Sequence, residues 1–174
     1  MSLSMYDVCI PGFVHGLGQL SHLLTSAAAH ATARGSDPNR LVAARLADDM
    51  LPLSGQIQRA SDTSKLSAQR LSGVSAPSMP DTEQTLDDLQ ARIAATIAYL
   101  RTIEPSQMDT ADDVPVRLEA GKWRVDFNGR DYLLQFAVPN FQFHVVAAYA
   151  ILRQQGVPLG KVDFLGRIGT PVAD

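Results

Sequence analysis

A single cysteine, Cys9, stands in the 174 residues. This excludes an intramolecular disulfide and any zinc cluster built on cysteines. No stretch approaches the roughly 20 apolar residues of a membrane-spanning helix. No basic segment followed by an apolar run opens the chain, so neither a membrane partner nor a signal peptide is expected. The net charge of −3 lacks the dense basic surface that binding along a phosphate backbone requires, which argues against nucleic acid as a partner. A cytoplasmic protein is the resulting expectation. The motifs GxGxxG, GxxxxGK with Ser or Thr, GxSxG, HxxxH and HExxH are all missing, which leaves no familiar nucleotide, hydrolase or zinc signature.

Helical periodicity is what the chain has in quantity. Apolar residues make up 45% and charged residues 19%, a globular balance, and the length fits one domain, residues 1–174. From about Ser4 to Arg34, Tyr6, Ile10, Phe13, Leu17, Leu20, Leu24, Ala27 and Ala31 recur at steps of three and four. That is one stripe of an amphipathic helix. Pro11 is expected to kink its first turns. His15 and His22 point off the stripe, toward solvent or a partner chain. A short helical piece follows Ser36 or Asp37, with Pro38 in its first turn.

The second long helix is expected from Asp49 or Met50 to Ser72, or from near Leu51 if Pro52 sets its start. Its stripe is Leu53, Ile57, Ala60, Ser64, Ala68 and Leu71. Gln56 and Asp49 project to the border of that stripe, Gln58 lies further round, and Asp62 faces solvent by period alone. The proline-bearing stretch GVSAPSMPD is a linker long enough to cross the end or side of a bundle. The third helix begins near Thr82 or Thr85, with Thr85 and Asp88 spaced as a capping box, and ends at Glu104–Pro105.

The period then changes to two, which predicts a β-hairpin over about 115–128. A lone hairpin is marginal in water, so its apolar side is expected on the helices. The last helix starts beside Arg130 and Asp131 and ends at Gly156, with Pro139 kinking or splitting it. Residues 157–174 form a tail whose Val157, Leu159, Phe164 and Leu165 pack back. Four long amphipathic helices and one small hairpin before the last of them predict an all-α, antiparallel-type four-helix bundle.

Candidate chemistry gathers on PNFQFHVVAAYAILRQQG. At about 100° per residue, Asn140 and His144 lie side by side on the apolar face. Buried polar groups are costly unless satisfied, so a partner side chain, a water or a metal is expected on each. Bundles build sites from facing helices, which draws in Gln56, Asp49 and Tyr132. One option is a divalent metal, zinc, nickel or manganese, held by His144, a carboxylate such as Asp49 or Asp62, and water. The other is His144 held by a hydrogen bond from Gln56, Asn140 or a backbone carbonyl. Asn and Gln are poor zinc ligands, which favours the second. Cys9 sits near the first stripe, as an inert core thiol would. Arg153, Lys161 and Arg167 fit a solvated end better than an anion site.

The strings SLSMYDVCIPGFVHGL, DDMLPLSGQIQRASDTSK and above all YLLQFAVPNFQFHVVAAYAILRQQGVPLGKVDFLG resemble a bacterial family of unknown function. That family belongs to the DinB-like, YfiT-like superfamily of metalloenzyme-type four-helix bundles. The resemblance covers nearly the whole chain. It implies a crossover between the second and third helices, which the linker at 74–81 suits, and a homodimer. Many superfamily members carry nickel or zinc on three histidines, one from the second helix and two spaced HxxxH on the fourth. Some are thiol-dependent transferases or isomerases; others have no known activity. Carried over, His144 matches the second histidine of the fourth-helix pair. Asn140 stands at the first, and Gln56 or Gln58 stands near the second-helix position. The resemblance thus implies an altered metal site, with one of three histidines kept.

The expected ligand pocket is His144, Asn140, Gln56 and Asp49, with His144 the one candidate ligand for zinc or nickel. The expected function is a small-ligand-binding or structural homodimer. A metal- or thiol-dependent transferase or hydrolase acting through His144 is the alternative. An apolar surplus at the hairpin and at Phe141, Phe143 and Tyr149 points to the same dimer.

Overall fold

Local capping chemistry sets most of the helix boundaries. In the computed structural model, which describes residues 3–166, α1 spans Met5–Ala33. Ser4 Oγ accepts the Asp7 N–H at 3.1 Å, and the Asp7 carboxylate accepts the Ser4 N–H at 3.1 Å, a reciprocal capping box. Pro11 lies inside this helix. A 3-10 turn, Pro38–Ala43, follows with Asp37 as its cap. Helix α2 spans Leu53–Ser72 and stops at Gly73, whose φ of 76° is left-handed. Helix α3 spans Leu86–Leu100, with Thr85 and Asp88 capping each other. It ends ahead of Glu104–Pro105, where a second 3-10 turn, Pro105–Met108, begins.

The start of α2 corrects the expectation of Asp49 or Met50. A residue before proline is driven out of the helical region, so Leu51 stays outside the helix and Pro52 becomes the cap, with ψ at 171°. Asp49 is left in the preceding turn, exposed to solvent.

Strands β1, Val116–Ala120, and β2, Trp123–Phe127, pair antiparallel with Leu118 opposite Val125. Val116 and Leu118 are buried, whereas Trp123 is 49% exposed. The last long helical stretch is composite. It runs through α4, Gly129–Asp131, a π-helical segment, Tyr132–Ala137, and α5, Val138–Gln154. Pro139 has no N–H to give the turn behind it. The helix accommodates it with the π segment, where the Val138 N–H bonds the Leu133 carbonyl five residues back. Tyr132 and His144 would stand about 120° apart at about 100° per residue. The extra residue held by a π segment takes back nearly all of that offset. A short α6, Lys161–Leu165, closes the described chain.

Helix α2 lies against α3 and α5, and α1 lies against the same two. The linker retraces α2 from its end toward its start. The Val74 carbonyl accepts from the Tyr99 hydroxyl at 2.7 Å, and Ala76 N–H donates to Gln69 Oε1 at 2.8 Å. Farther along, Asp81 pairs with Arg59, and Glu83 accepts from Gln58 at 2.8 Å. Helix α3 therefore begins beside the start of α2. Its Leu86 N–H donates to Asn39 Oδ1 at 3.0 Å.

The core runs between the helices and takes in Val157 and Leu159 from the tail. Phe141, expected on a surface, is 1% exposed. It meets Phe13 edge-to-face at 4.9 Å. Gly16 makes that approach possible, since a Cβ there would overlap the Phe141 ring. Asp62, expected in solvent, is another correction. It accepts from Arg92 at 2.9 Å and Lys65 at 3.0 Å, while Arg92 also bonds Glu83 at 2.8 Å. The linker and α3 cover this face of α2, which the period of α2 alone does not encode. Among the described residues, no helix is long and apolar enough to cross a membrane.

Candidate functional site

A polar seam runs along the contact between α2 and the last helical stretch. At one point the His144 Nδ1 lies 2.8 Å from Gln56 Oε1. The Gln56 amide nitrogen donates to the Leu51 carbonyl at 3.0 Å. That second bond fixes the amide orientation, so its oxygen is the atom facing the imidazole. An oxygen only accepts here, hence Nδ1 carries the proton and Nε2 holds the lone pair. Burial pushes the His144 pKa down to about 4, with the Arg59 charge adding to the effect. The ring is therefore neutral near pH 7. Its edge meets the exposed Phe143 ring at 5.3 Å.

The seam continues toward the other end of α2. Asn140 Nδ2 donates to Thr63 Oγ1 at 2.8 Å. The Tyr132 hydroxyl lies 2.8 Å from Ser67 Oγ and accepts from Arg70 at 3.1 Å. The Arg70 guanidinium also stands 5.6 Å from the centre of the Tyr132 ring, a cation–π distance.

Of the residues singled out in the sequence, His144 and Gln56 meet directly. Asn140 is half-buried and turns to Thr63 rather than to His144. Gln58 bonds Glu83 on the linker, which makes Gln56 the α2 residue at this position. Asp49 lies in the exposed turn and has no hydrogen bond or ion pair with any described residue. Thr63, Ser67, Arg59 and Arg70 were missed. For Thr63, Ser67 and Arg70 the signal was available in the spacing 56, 63, 67, 70, which keeps one face of a helix. Tyr132 could be aligned with that face only by knowing of the π segment.

The residues present do not fit the trihistidine metal centre of metal-binding superfamily members. Both polar atoms of Gln56 are committed, one to His144 and one to Leu51. The Asn140 amide nitrogen is committed to Thr63. His144 Nε2 is then the one imidazole donor left, where zinc needs three protein ligands or more. Among the described residues, no three His, Cys, Asp or Glu side chains gather as a metal set.

Three further sequence candidates find plain roles. Cys9 is buried, and desolvation pushes its thiol up to about 12, which leaves it protonated and unreactive. His15 Nε2 donates to the Leu165 carbonyl at 2.9 Å, and His22 Nε2 meets Asp163 at 3.1 Å. These two hold α6 onto α1. Arg167 lies outside the described residues.

A crystal structure of a DinB family member protein from Shewanella denitrificans is 32% identical to the chain. It superposes with a TM-score of 0.89, covering 97% of this chain and 96% of that one. No curated protein matches. The sequence profile of the DUF1993 domain of unknown function matches residues 5–165. On that match the chain belongs to the DUF1993 family, a domain-of-unknown-function family with the DinB-like fold.

Proposed function

We propose that the chain is a DinB-type four-helix bundle, with its crossover in the linker after α2, whose metal position has become a neutral hydrogen-bonded pair. It acts as a small-ligand-binding or structural homodimer and not as a metalloenzyme. The observation that carries this is the 2.8 Å contact of His144 Nδ1 with Gln56 Oε1, in which the α2 residue accepts a hydrogen bond where a histidine would offer a metal its lone pair. What the pair supplies is one bare acceptor, Nε2, in a neutral ring beside an exposed aromatic face.

The test is elemental analysis of protein purified without chelator. Zinc and nickel far below one per chain are expected. Near-stoichiometric metal that disappears in His144→Ala would overturn the proposal.

The transferase or hydrolase alternative needs a carboxylate or a metal acting with His144. Asp62 is tied to Arg59, Lys65 and Arg92, and Asp49 sits in the exposed turn before α2, so neither supports it. Support for the dimer comes from exposed apolar side chains on neighbouring elements. Phe143 is 57% exposed, Val146 48% and Val162 78%. A light-scattering mass of two chains at micromolar concentration is expected; a mass of one chain would refute the dimer.

A further inference from the structure

A second feature lies at the other end of the last helical stretch. Asn128 caps that stretch, its side chain accepting the Asp131 N–H at 2.7 Å. Gly129 presses the backbone onto the 3-10 turn Ala111–Asp113 so closely that a Cβ would overlap the Ala111 carbonyl. Beside this close approach, the first turns of α1 and the start of the last helical stretch line a half-open cavity of about 550 Å³, within the range of small-molecule sites. Its wall includes the buried Met5 and Leu133 and two apolar side chains left in solvent, Leu134 at 50% exposure and Leu3 at 76%. Exposed large apolar groups are informative when they share one concave surface. Here they border the π segment, and such segments recur at functional sites.

Two charged residues of opposite sign, Arg130 and Asp112, also line this cavity. Both are exposed to solvent, and neither makes a side-chain hydrogen bond or ion pair with any described residue, which leaves both free to meet a ligand. An apolar hollow bordered by one solvent-facing cation and one solvent-facing anion is complementary to a ligand that carries both charges on an apolar body.

We propose that this cavity binds a small apolar zwitterion, of the class of free apolar amino acids and short apolar peptides. The ligand carboxylate meets Arg130, its ammonium meets Asp112, and its side chain lies against Leu133, Leu134 and Met5. The proposal goes beyond the His144–Gln56 pair and does not depend on it.

Calorimetric titration of the full chain with the dipeptide Leu-Leu, and with its N-acetylated and C-terminally amidated forms, tests this. The free dipeptide is expected to bind. Arg130→Gln and Asp112→Asn are each expected to weaken it about tenfold or more, as is blocking the matching terminus. Arg34→Gln, at the far end of α1, is expected to change nothing. Circular dichroism checks that each variant is folded. No heat with folded protein at millimolar dipeptide would overturn the proposal. So would binding that survives both charge substitutions, or blocked forms that bind as well as the free dipeptide.

Discussion

His144 Nδ1 donates to Gln56 Oε1 across the α2–α5 contact at 2.8 Å, while the Gln56 amide nitrogen is held by the Leu51 carbonyl. The start of α2 thus fixes the amide, the amide fixes the tautomer, and burial keeps the ring neutral.

The neutral ring makes stability depend on pH in a set direction. Burial, with a contribution from Arg59, lowers the His144 pKa from 6.5 to about 4 in the folded chain. As pH falls, the unfolded chain takes up this proton first. The contribution of His144 is therefore full above about pH 6.5 and is lost progressively down to about pH 4. Allowing for solvent screening, the loss is about 1–2 kcal/mol. Thermal unfolding of the native chain and His144→Gln at pH 7 and pH 4.5 isolates it. The native chain should lose more stability between the two pH values than the variant; equal losses would contradict the assignment.

Changing Gln56 should have two distinct effects. Gln56→Leu leaves a buried Nδ1–H without an acceptor, which costs about 1–3 kcal/mol. Gln56→Glu places an anion beside the ring and should raise the His144 pKa, because an opposite charge favours the protonated form. Urea unfolding measures the first, and an NMR titration of the His144 ring protons measures the second.

Tyr132 should report on the π segment. Tyr132→Phe removes the hydroxyl that bonds Ser67 and Arg70 and should cost about 1 kcal/mol. Ser67→Ala breaks the same bond. Combined, the two substitutions should cost measurably less than the sum of the singles. Strict additivity would mean that the two groups do not meet in solution.

The glycines of the helices should divide sharply. Gly12 and Gly18 have open space where a Cβ would go, so alanine there should stabilise by about 0.5–1 kcal/mol through helix propensity. Gly129→Ala would drive a methyl into the Ala111 carbonyl and should cost about 3 kcal/mol or more. Gly16→Ala, whose methyl would meet the Phe141 ring first, should fall between.

The helical period and caps carried much of this in the sequence. Ser4 with Asp7, and Thr85 with Asp88, mark the starts of α1 and α3 through local chemistry. The hairpin was legible from its period of two. His144 was placed inward because it shares a face with Ile151 and Ala148. What local pattern could not supply came from long-range packing. Asp62 looked solvated until the linker brought Glu83 and Asp81 over α2 and α3 brought Arg92. Phe141 looked like a surface aromatic because nothing in its own helix shows that Gly16 leaves room for it. Asp49 was drawn into α2 by extending the stripe past Pro52. The π segment added a residue to the register, which no fixed period anticipates, and so hid the alignment of Tyr132 with Asn140 and His144.

The most direct test is the protonation of the His144 ring, seen in long-range proton–nitrogen NMR spectra recorded with and without one equivalent of zinc. A protonated Nδ1 and a bare Nε2 are expected at pH 7, unchanged by zinc, with the ring titrating near pH 4. A ring protonated on Nε2, a midpoint near 6.5, or an Nε2 resonance shifted by stoichiometric zinc would contradict it.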